Sequence, residues 1–212
     1  MSDVEALYPF LYRGVTDGPA LIADAANSTR DKVAEITRLR ARVLGVHDAG
    51  LRECAAVLAD RLTAGGRLLV FGNGGSSTDA ATIRRVFMFP PYGRPLPAVA
   101  LAAETAVVTA LANDVGFDVV FARQIAAMGR PEDVAFGVST SGGSENVLAG
   151  LAAAHRVGMV TVGLAGYDGG RMAEPGVVDH LFVVPSPSVH RIQEAQTTLY
   201  HQLWALTQQT LA

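Results

Sequence analysis

The chain has 212 residues, half of them hydrophobic and 17% charged, which is typical of one globular domain and excludes a disordered chain. The formal net charge of −3 gives no indication of nucleic acid or an anionic membrane as a partner. Neither a membrane-spanning apolar run nor a signal-peptide core is present, so we expect a cytoplasmic protein.

The first 64 residues predict an arm followed by two helices. Residues 1–20 are rich in proline, glycine and aromatic side chains and predict a lead-in arm with little regular structure. Its aromatic residues pack either on a neighbouring subunit or on their own domain. Apolar positions at helical spacing then cover 20–45 and 48–64, which predicts a helical hairpin. We assign 21–212, including the helices of 21–64, to a single domain.

The remainder alternates between predicted strands and predicted helices. The strands are near 67–71, 98–101, 133–138, 159–163 and 180–184. The helices are near 78–87, 105–112, 119–128, 144–156 and 189–211. This alternation predicts a three-layer α/β fold, in which helices flank a five-stranded parallel sheet. Ligands bind such sheets beyond the carboxyl ends of the strands.

The first predicted strand runs directly into a glycine loop, residues 72–75. Three glycines and Asn73 permit positive φ and a close approach of other groups to the backbone. The hydroxyl-bearing residues that follow, with Asp79, suit the capping of a helix. A helix N-terminus offers N–H donors to an anion. The alternative is a tight connection with no ligand.

A second loop of the same kind follows the third predicted strand. This serine loop, residues 139–144, supplies four hydroxyl groups close to a predicted helix start; they belong to Ser139, Thr140, Ser141 and Ser144. Hydroxyls and backbone amides there suit the oxygens of a phosphate group. The alternative is a cluster of capping residues without a ligand.

Together the two loops resemble the sugar isomerase (SIS) domain family, and most closely its phosphoheptose isomerases. Further segments that carry the resemblance are Asp79-Ala80, Ala112-Asn113-Asp114, Asn146-Val147, Asp168-Gly169-Gly170, Val184-Pro185-Ser186 and Arg191-Ile192-Gln193-Glu194 with His201. The resemblance covers roughly residues 30 to 210. It implies the SIS fold, a phosphorylated sugar as ligand and a homo-oligomer, either a tetramer or a dimer.

The resemblance also implies where a sugar phosphate binds. The serine loop would hold the phosphate, while Asn73, Gly74 and Gly75 would contact the sugar or close around it. Further contacts would come from Gln193 and from Asn113 and Asp114, whose side chains can bond sugar hydroxyls. For Asn113 and Asp114, the alternative is that they only form the turn that ends a helix.

The chain departs from the family at the residues that bind the metal ion and transfer the proton. In the phosphoheptose isomerases a His and, four residues later, a Glu bind zinc, and the Glu also transfers the proton. The matching positions here are Thr82 and Val86, which cannot do so. Gln193 and His201 match the remaining metal-binding residues. Eight residues of helix separate donors by about 12 Å. One ion would reach both only if Gln193 precedes the regular helix or the two residues come from different subunits, so we expect neither zinc nor another cofactor.

His201 is then the best acid–base candidate, and a histidine stacked in a subunit contact is its alternative. Asp114 is a possible substitute base. We therefore expect a divergent aldose–ketose isomerase with a rearranged, metal-free site. Two alternatives remain: a sugar-phosphate sensor without turnover, and a module that binds another protein, as the SIS relative that binds the bacterial replication initiator does.

Overall fold

The structure is a computed structural model that describes residues 18–212. Nearly all of the predicted lead-in arm, including Tyr8, Phe10 and Tyr12, therefore lies outside the described residues. Only its last three residues are described, and they form the first turn of a helix.

The predicted helical hairpin is wrong, because one continuous helix replaces it. This helix, α1, covers Gly18–Thr63 and has 46 residues. The supposed break near 45–48 contains a single glycine, Gly45, and no proline. A lone glycine costs a helix about 1 kcal/mol, which does not end it. Buried Val43 and Leu51 continue the apolar face on either side of it.

Contacts group the chain into two units that divide within α1. The first unit ends at Arg38, and its described residues are almost all exposed, including Ile22 and Val33. The second unit is Leu39–Ala212. In this unit the second half of α1 contains Cys54, which is fully buried and packs as a small hydrophobic side chain. The single domain predicted for 21–212 stays a prediction.

The predicted five-stranded parallel sheet is confirmed. The strands are β1 Leu68–Gly72, β2 Ala98–Ala100, β3 Val134–Ser139, β4 Val160–Gly166 and β5 His180–Val184, in the order β2-β1-β3-β4-β5. The helices are α2 Gly75–Met88, α3 Thr105–Asp114, α4 Val120–Met128, α5 Glu145–Val157 and α6 Val189–Thr210. Short 3₁₀ helices cover Phe117–Val119 and Gly170–Ala173.

Helices cover both faces of this sheet. On one face α4 and α5 pack together, and Phe121 contacts Phe71 of β1 with ring centroids 5.2 Å apart. On the other face α2 packs against α6. Every residue of β1 and β3 is buried, as expected for central strands of a parallel sheet. Between Gly18 and Ala212, no helix combines the length and the apolar character needed to cross a membrane.

Candidate functional site

The two loops lie side by side at the carboxyl edge of the sheet. Gly72 at the end of β1 pairs with Val138 in β3. A Cβ atom at Gly72 would lie 2.6 Å from the carbonyl oxygen of Val138, so only glycine fits there. The side-chain amides of Asn73 and Asn146 then bind each other through two hydrogen bonds, of 2.7 and 2.9 Å. This pair joins the glycine loop to the first turn of α5.

In the serine loop, three hydroxyl groups converge at the start of α5. The hydroxyl oxygen of Ser139 lies 3.0 Å from that of Ser144 and 3.4 Å from that of Ser141. The backbone N–H of Gly143 donates to the Ser141 hydroxyl over 3.2 Å. Ser139 is buried, whereas Ser141 is exposed. The cluster therefore has an accessible side at which a ligand oxygen can bind.

Ser144 is the N-cap residue of α5, but its side chain does not cap the helix. Its hydroxyl bonds to Ser139 instead, while its carbonyl oxygen accepts from the backbone N–H groups of Val147 and Leu148. A capping function alone therefore does not account for this hydroxyl. Thr140 supports the loop through its carbonyl oxygen, which accepts from the N–H of Gly166 in β4 over 3.0 Å.

The helix after the glycine loop starts earlier than the sequence indicates. Gly74 is the N-cap residue of α2, at φ 53°, and Gly75 is the first helical residue. The prediction that Asp79 caps this helix is therefore wrong, since Asp79 lies in its second turn. The cause is the positive φ of Gly74, which turns the chain into the helix without a capping side chain.

Asp79 instead faces α6. The residue is buried, and burial raises the pKa of its carboxyl group to about 6; hydrogen bonds from Tyr200 and Gln193 oppose this rise. Burial also raises the pKa of the Tyr200 hydroxyl. Gln193 lies across the start of α2, because its Nε2 is 2.1 Å from where a Cβ on Gly75 would be. Thus Gln193 is close to the glycine loop, as the sequence predicts for a site residue.

His201 lies two turns beyond Gln193 on the regular part of α6. Its Nδ1 is 2.8 Å from the carbonyl oxygen of Thr197. A carbonyl oxygen only accepts, so Nδ1 carries the proton and the neutral ring keeps its lone pair on Nε2. The ring lines a cavity of about 230 Å³ together with Arg85, Val86 and Trp204. His201 therefore shares a cavity with the position at which the family has its base.

Asn113 and Asp114 lie at the end of α3, apart from this arrangement. Both are exposed, and the amide of Asn113 donates to the carboxylate of Asp114 over 2.8 Å. Within residues 18–212, no hydrogen bond of their side chains reaches the glycine loop or the serine loop. The single chain thus brings together the two loops and Gln193, but not these two residues.

Comparison with known proteins gives the family. The SIS domain model matches residues 33–166. A phosphoheptose isomerase from Aquifex aeolicus is 41% identical over 185 residues, which cover 84% of this chain and 96% of the relative. This match and the shared loops decide the assignment. The chain belongs to the phosphoheptose isomerase family of SIS domain proteins.

Solved structures of SIS proteins agree with the fold. The phosphoheptose isomerase of Neisseria gonorrhoeae superimposes with a TM-score of 0.80 at 34% identity, over 86% of this chain and 98% of that one. The phosphoheptose isomerase of Francisella tularensis also has a TM-score of 0.80, at 28% identity, over 87% of this chain and 98% of that one. The resemblance to the SIS family and its fold, predicted from the two loops, is confirmed.

The residues at the positions that match the zinc ligands of the phosphoheptose isomerases do not fit a zinc ion. Val86 has no donor atom, and the hydroxyl of Thr82 is 3.0 Å from the Thr78 carbonyl oxygen, to which it donates. Gln193 and His201 lie on one regular helix, about 12 Å apart along its axis. The described part of the chain contains no group of three His, Cys, Asp or Glu residues able to hold a metal ion.

Two site residues were missed from the sequence. Asn146 was noted only as part of a motif, and its contact with Asn73 joins positions far apart in the chain. Asp79 was interpreted as a cap. The signal that could have identified it is its spacing: a carboxylate seven residues before Val86 lies on the same face of the helix as that position.

Proposed function

We propose that this protein binds a phosphorylated sugar at the serine loop and interconverts its aldose and ketose forms without a metal ion. The observation that carries the proposal is the convergence of the Ser139, Ser141 and Ser144 hydroxyls at the N-terminal end of α5. Membership of the phosphoheptose isomerase family supports a sugar phosphate as the substrate.

The serine loop suits the phosphate because it offers several donors to one anion. Hydroxyl groups can turn their protons toward phosphate oxygens, and the free backbone N–H groups of α5 add partial positive charge. The other end of the ligand would then extend over the glycine loop and Gln193 toward His201. Contacts of Asn73, Gly74 and Gly75 with the sugar belong to the same proposal.

Isomerisation requires a proton to move between neighbouring carbon atoms. A base takes the proton from the hydroxyl-bearing carbon next to the carbonyl group, which leaves an enediolate. The proton of that hydroxyl group moves to the former carbonyl oxygen, and the base returns its proton to the former carbonyl carbon. His201 is proposed for this transfer because its Nε2 carries the free lone pair and its side chain lines the same cavity as Val86. The poor fit of the zinc positions supports a metal-free reaction.

A homo-oligomer would complete the site. Asn113 and Asp114 are exposed on α3, so a second copy could receive them near its serine loop, where they would bond sugar hydroxyls or, for Asp114, assist proton transfer. The exposed apolar residues Ile22 and Val33 of α1 support contacts between copies. Analytical ultracentrifugation of the wild type distinguishes two copies from four.

Binding without turnover is the second candidate. Val86 favours it, because a valine cannot replace the carboxylate that performs proton transfer in the family. A sensor of this kind would keep the serine loop and dispense with the base. A pure protein-interaction module would have no use for the converging hydroxyls, so we rank it below both.

Calorimetric titration with sedoheptulose 7-phosphate tests the proposal. The hydroxyl of Ser141 is exposed, so Ser141→Ala leaves the fold intact, and we expect it to weaken binding by about 10- to 100-fold. This range corresponds to one hydrogen bond to a charged group, worth about 1.5–3 kcal/mol. Ser28→Ala, an exposed serine of α1, is the matched control and should leave affinity unchanged.

Turnover by the wild-type protein, followed as formation of the aldose, separates the two candidates. Binding with turnover supports the isomerase, and binding alone supports the sensor. No binding at millimolar sugar phosphate, or equal binding by Ser141→Ala, would contradict a phosphate site at the serine loop.

A further inference from the structure

The carboxyl group of Asp79 lies where α2 meets α6, close to the glycine loop. The residue is only 9% exposed, and the donor groups of Gln193 and Tyr200 on α6 lie close enough to favour its ionised form. Its Oδ2 atom is buried without a hydrogen-bond partner. A buried polar atom without a partner costs stability, so the presence of a carboxylate here needs a reason other than folding.

Gln193 links this carboxyl group to the ligand side of the glycine loop. Its Nε2 lies against Gly75, within 2.1 Å of where a Cβ would be. A carboxylate can only accept hydrogen bonds, so the atom of Gln193 that binds Asp79 is the N–H donor Nε2. The carbonyl oxygen Oε1 of the same amide is then left as an acceptor, and no hydrogen bond to it is present among residues 18–212.

An amide side chain can turn over and exchange its donor and acceptor, and only its partners fix which one faces outward. Around Gln193, the carboxylate of Asp79 is the group that makes this choice. A neutral amide at position 79 could bind either end of Gln193 and would remove the preference.

We propose that Asp79 is a positioning residue that fixes the orientation of the Gln193 amide, so that Gln193 presents an acceptor to a hydroxyl group of the bound sugar. This inference rests on the proposed function and assigns specificity within the same site. The ligand feature recognised is a hydroxyl donor on the carbon chain, separate from the phosphate group that the serine loop binds.

The test measures two probes, sedoheptulose 7-phosphate and inorganic phosphate, by calorimetric titration. Inorganic phosphate has no carbon chain, so it reports on the serine loop alone. For Asp79→Asn we expect affinity for the sugar phosphate to fall about 3- to 10-fold, the equivalent of one neutral hydrogen bond, while affinity for inorganic phosphate stays the same.

A paired substitution separates positioning from a general structural effect. In the double variant Asp79→Asn/Gln193→Glu the acid and the amide exchange places. The new amide at position 79 donates to the new carboxylate, whose second oxygen again faces the sugar as an acceptor. We expect this variant to recover wild-type affinity within about twofold, whereas Gln193→Glu alone sets two carboxylates together and binds more weakly.

Three results would overturn the inference. In the first, Asp79→Asn weakens both probes equally, which indicates a structural role. In the second, the double variant binds no better than Asp79→Asn. In the third, Asp79→Asn binds the sugar phosphate as the wild type does. Failure of the wild type to bind either probe would remove the proposed function as well, so the two failures are distinguishable.

Discussion

Asn73 and Asn146 hold the two loops of the site together, since each side-chain amide donates to the carbonyl oxygen of the other over 2.7 and 2.9 Å. Asn73 follows β1, and Asn146 lies in the first turn of α5, where it is 2% exposed. The pair fixes the distance between the glycine loop and the serine loop before any ligand binds. Preorganisation of this kind lowers the entropy that binding has to overcome.

Replacement of either asparagine by alanine should destabilise the fold, because the partner amide is left without its hydrogen bonds. We expect Asn73→Ala and Asn146→Ala each to lower the free energy of unfolding by about 1–3 kcal/mol in urea denaturation. The double variant should lose less than the sum of the two. The control is Asn113→Ala, an exposed asparagine, which should change stability by less than about 0.5 kcal/mol. Strictly additive losses would contradict a direct pair.

The buried carboxyl group of Asp79 should make stability depend on pH. Burial raises its pKa to about 6 in the folded protein, from 3.8 for an aspartate in water. The folded state therefore binds this proton more tightly, and the resulting stabilisation is full below the unfolded pKa and is lost as the pH rises through about 6. Asp79→Asn resembles the protonated acid and lacks this loss.

The free energy of unfolding of Asp79→Asn, minus that of the wild type, should therefore be about 1–3 kcal/mol larger at about pH 7.5 than at about pH 4.5. Urea denaturation at the two pH values measures this gain. Asp60→Asn, an exposed aspartate of α1, is the control and should show a much smaller change. A difference between wild type and Asp79→Asn that is the same at both pH values would exclude a raised pKa.

His201 should be needed for turnover but not for binding. We expect His201→Ala to lower kcat by about 10²- to 10⁴-fold, the usual contribution of one acid–base group. The dissociation constant for the sugar phosphate should change by less than about threefold, which makes binding the internal control. A chelator should leave wild-type activity unchanged. Activity that a chelator abolishes and zinc restores would contradict the metal-free site.

The first half of α1 should take part in assembly. Ile22 and Val33 are eleven residues apart, which places them on one face of the helix, and they are 71% and 58% exposed. Ile22→Glu/Val33→Glu should shift the protein toward smaller species in analytical ultracentrifugation, because it places charge where apolar surface would be buried. Asn27→Glu, on a different face, should not. An unchanged distribution in the double variant would contradict an assembly surface there.

The sequence predicted the sheet and the two loops because their signals are local. Buried parallel strands such as β1 are apolar without alternation, and the glycines and hydroxyl residues follow them directly. The helical hairpin was wrong because the apolar pattern was divided between 45 and 48, where the helix continues. The two glycines between the buried residues Val43 and Leu51, Gly45 and Gly50, do not outweigh the packing of a continuous apolar face.

The functions of Asp79 and Asn146 could not be predicted because they depend on contacts between distant segments. Asp79 meets Gln193 only after α2 and α6 pack together, and the sequence shows just a helix-start residue type there. Likewise, nothing local to Asn146 indicates that it pairs with Asn73. Polar contacts across packed elements are set by tertiary structure, which periodicity does not encode.

The central claim is that the serine loop binds the phosphate of a sugar phosphate, and a crystal structure of the complex with sedoheptulose 7-phosphate tests it most directly. The account predicts phosphate oxygens within about 3 Å of the hydroxyls of Ser139, Ser141 and Ser144. The carbon chain should extend across Gly75 and Gln193. A phosphate group bound elsewhere, with the three hydroxyls still bonded only to one another, would contradict it.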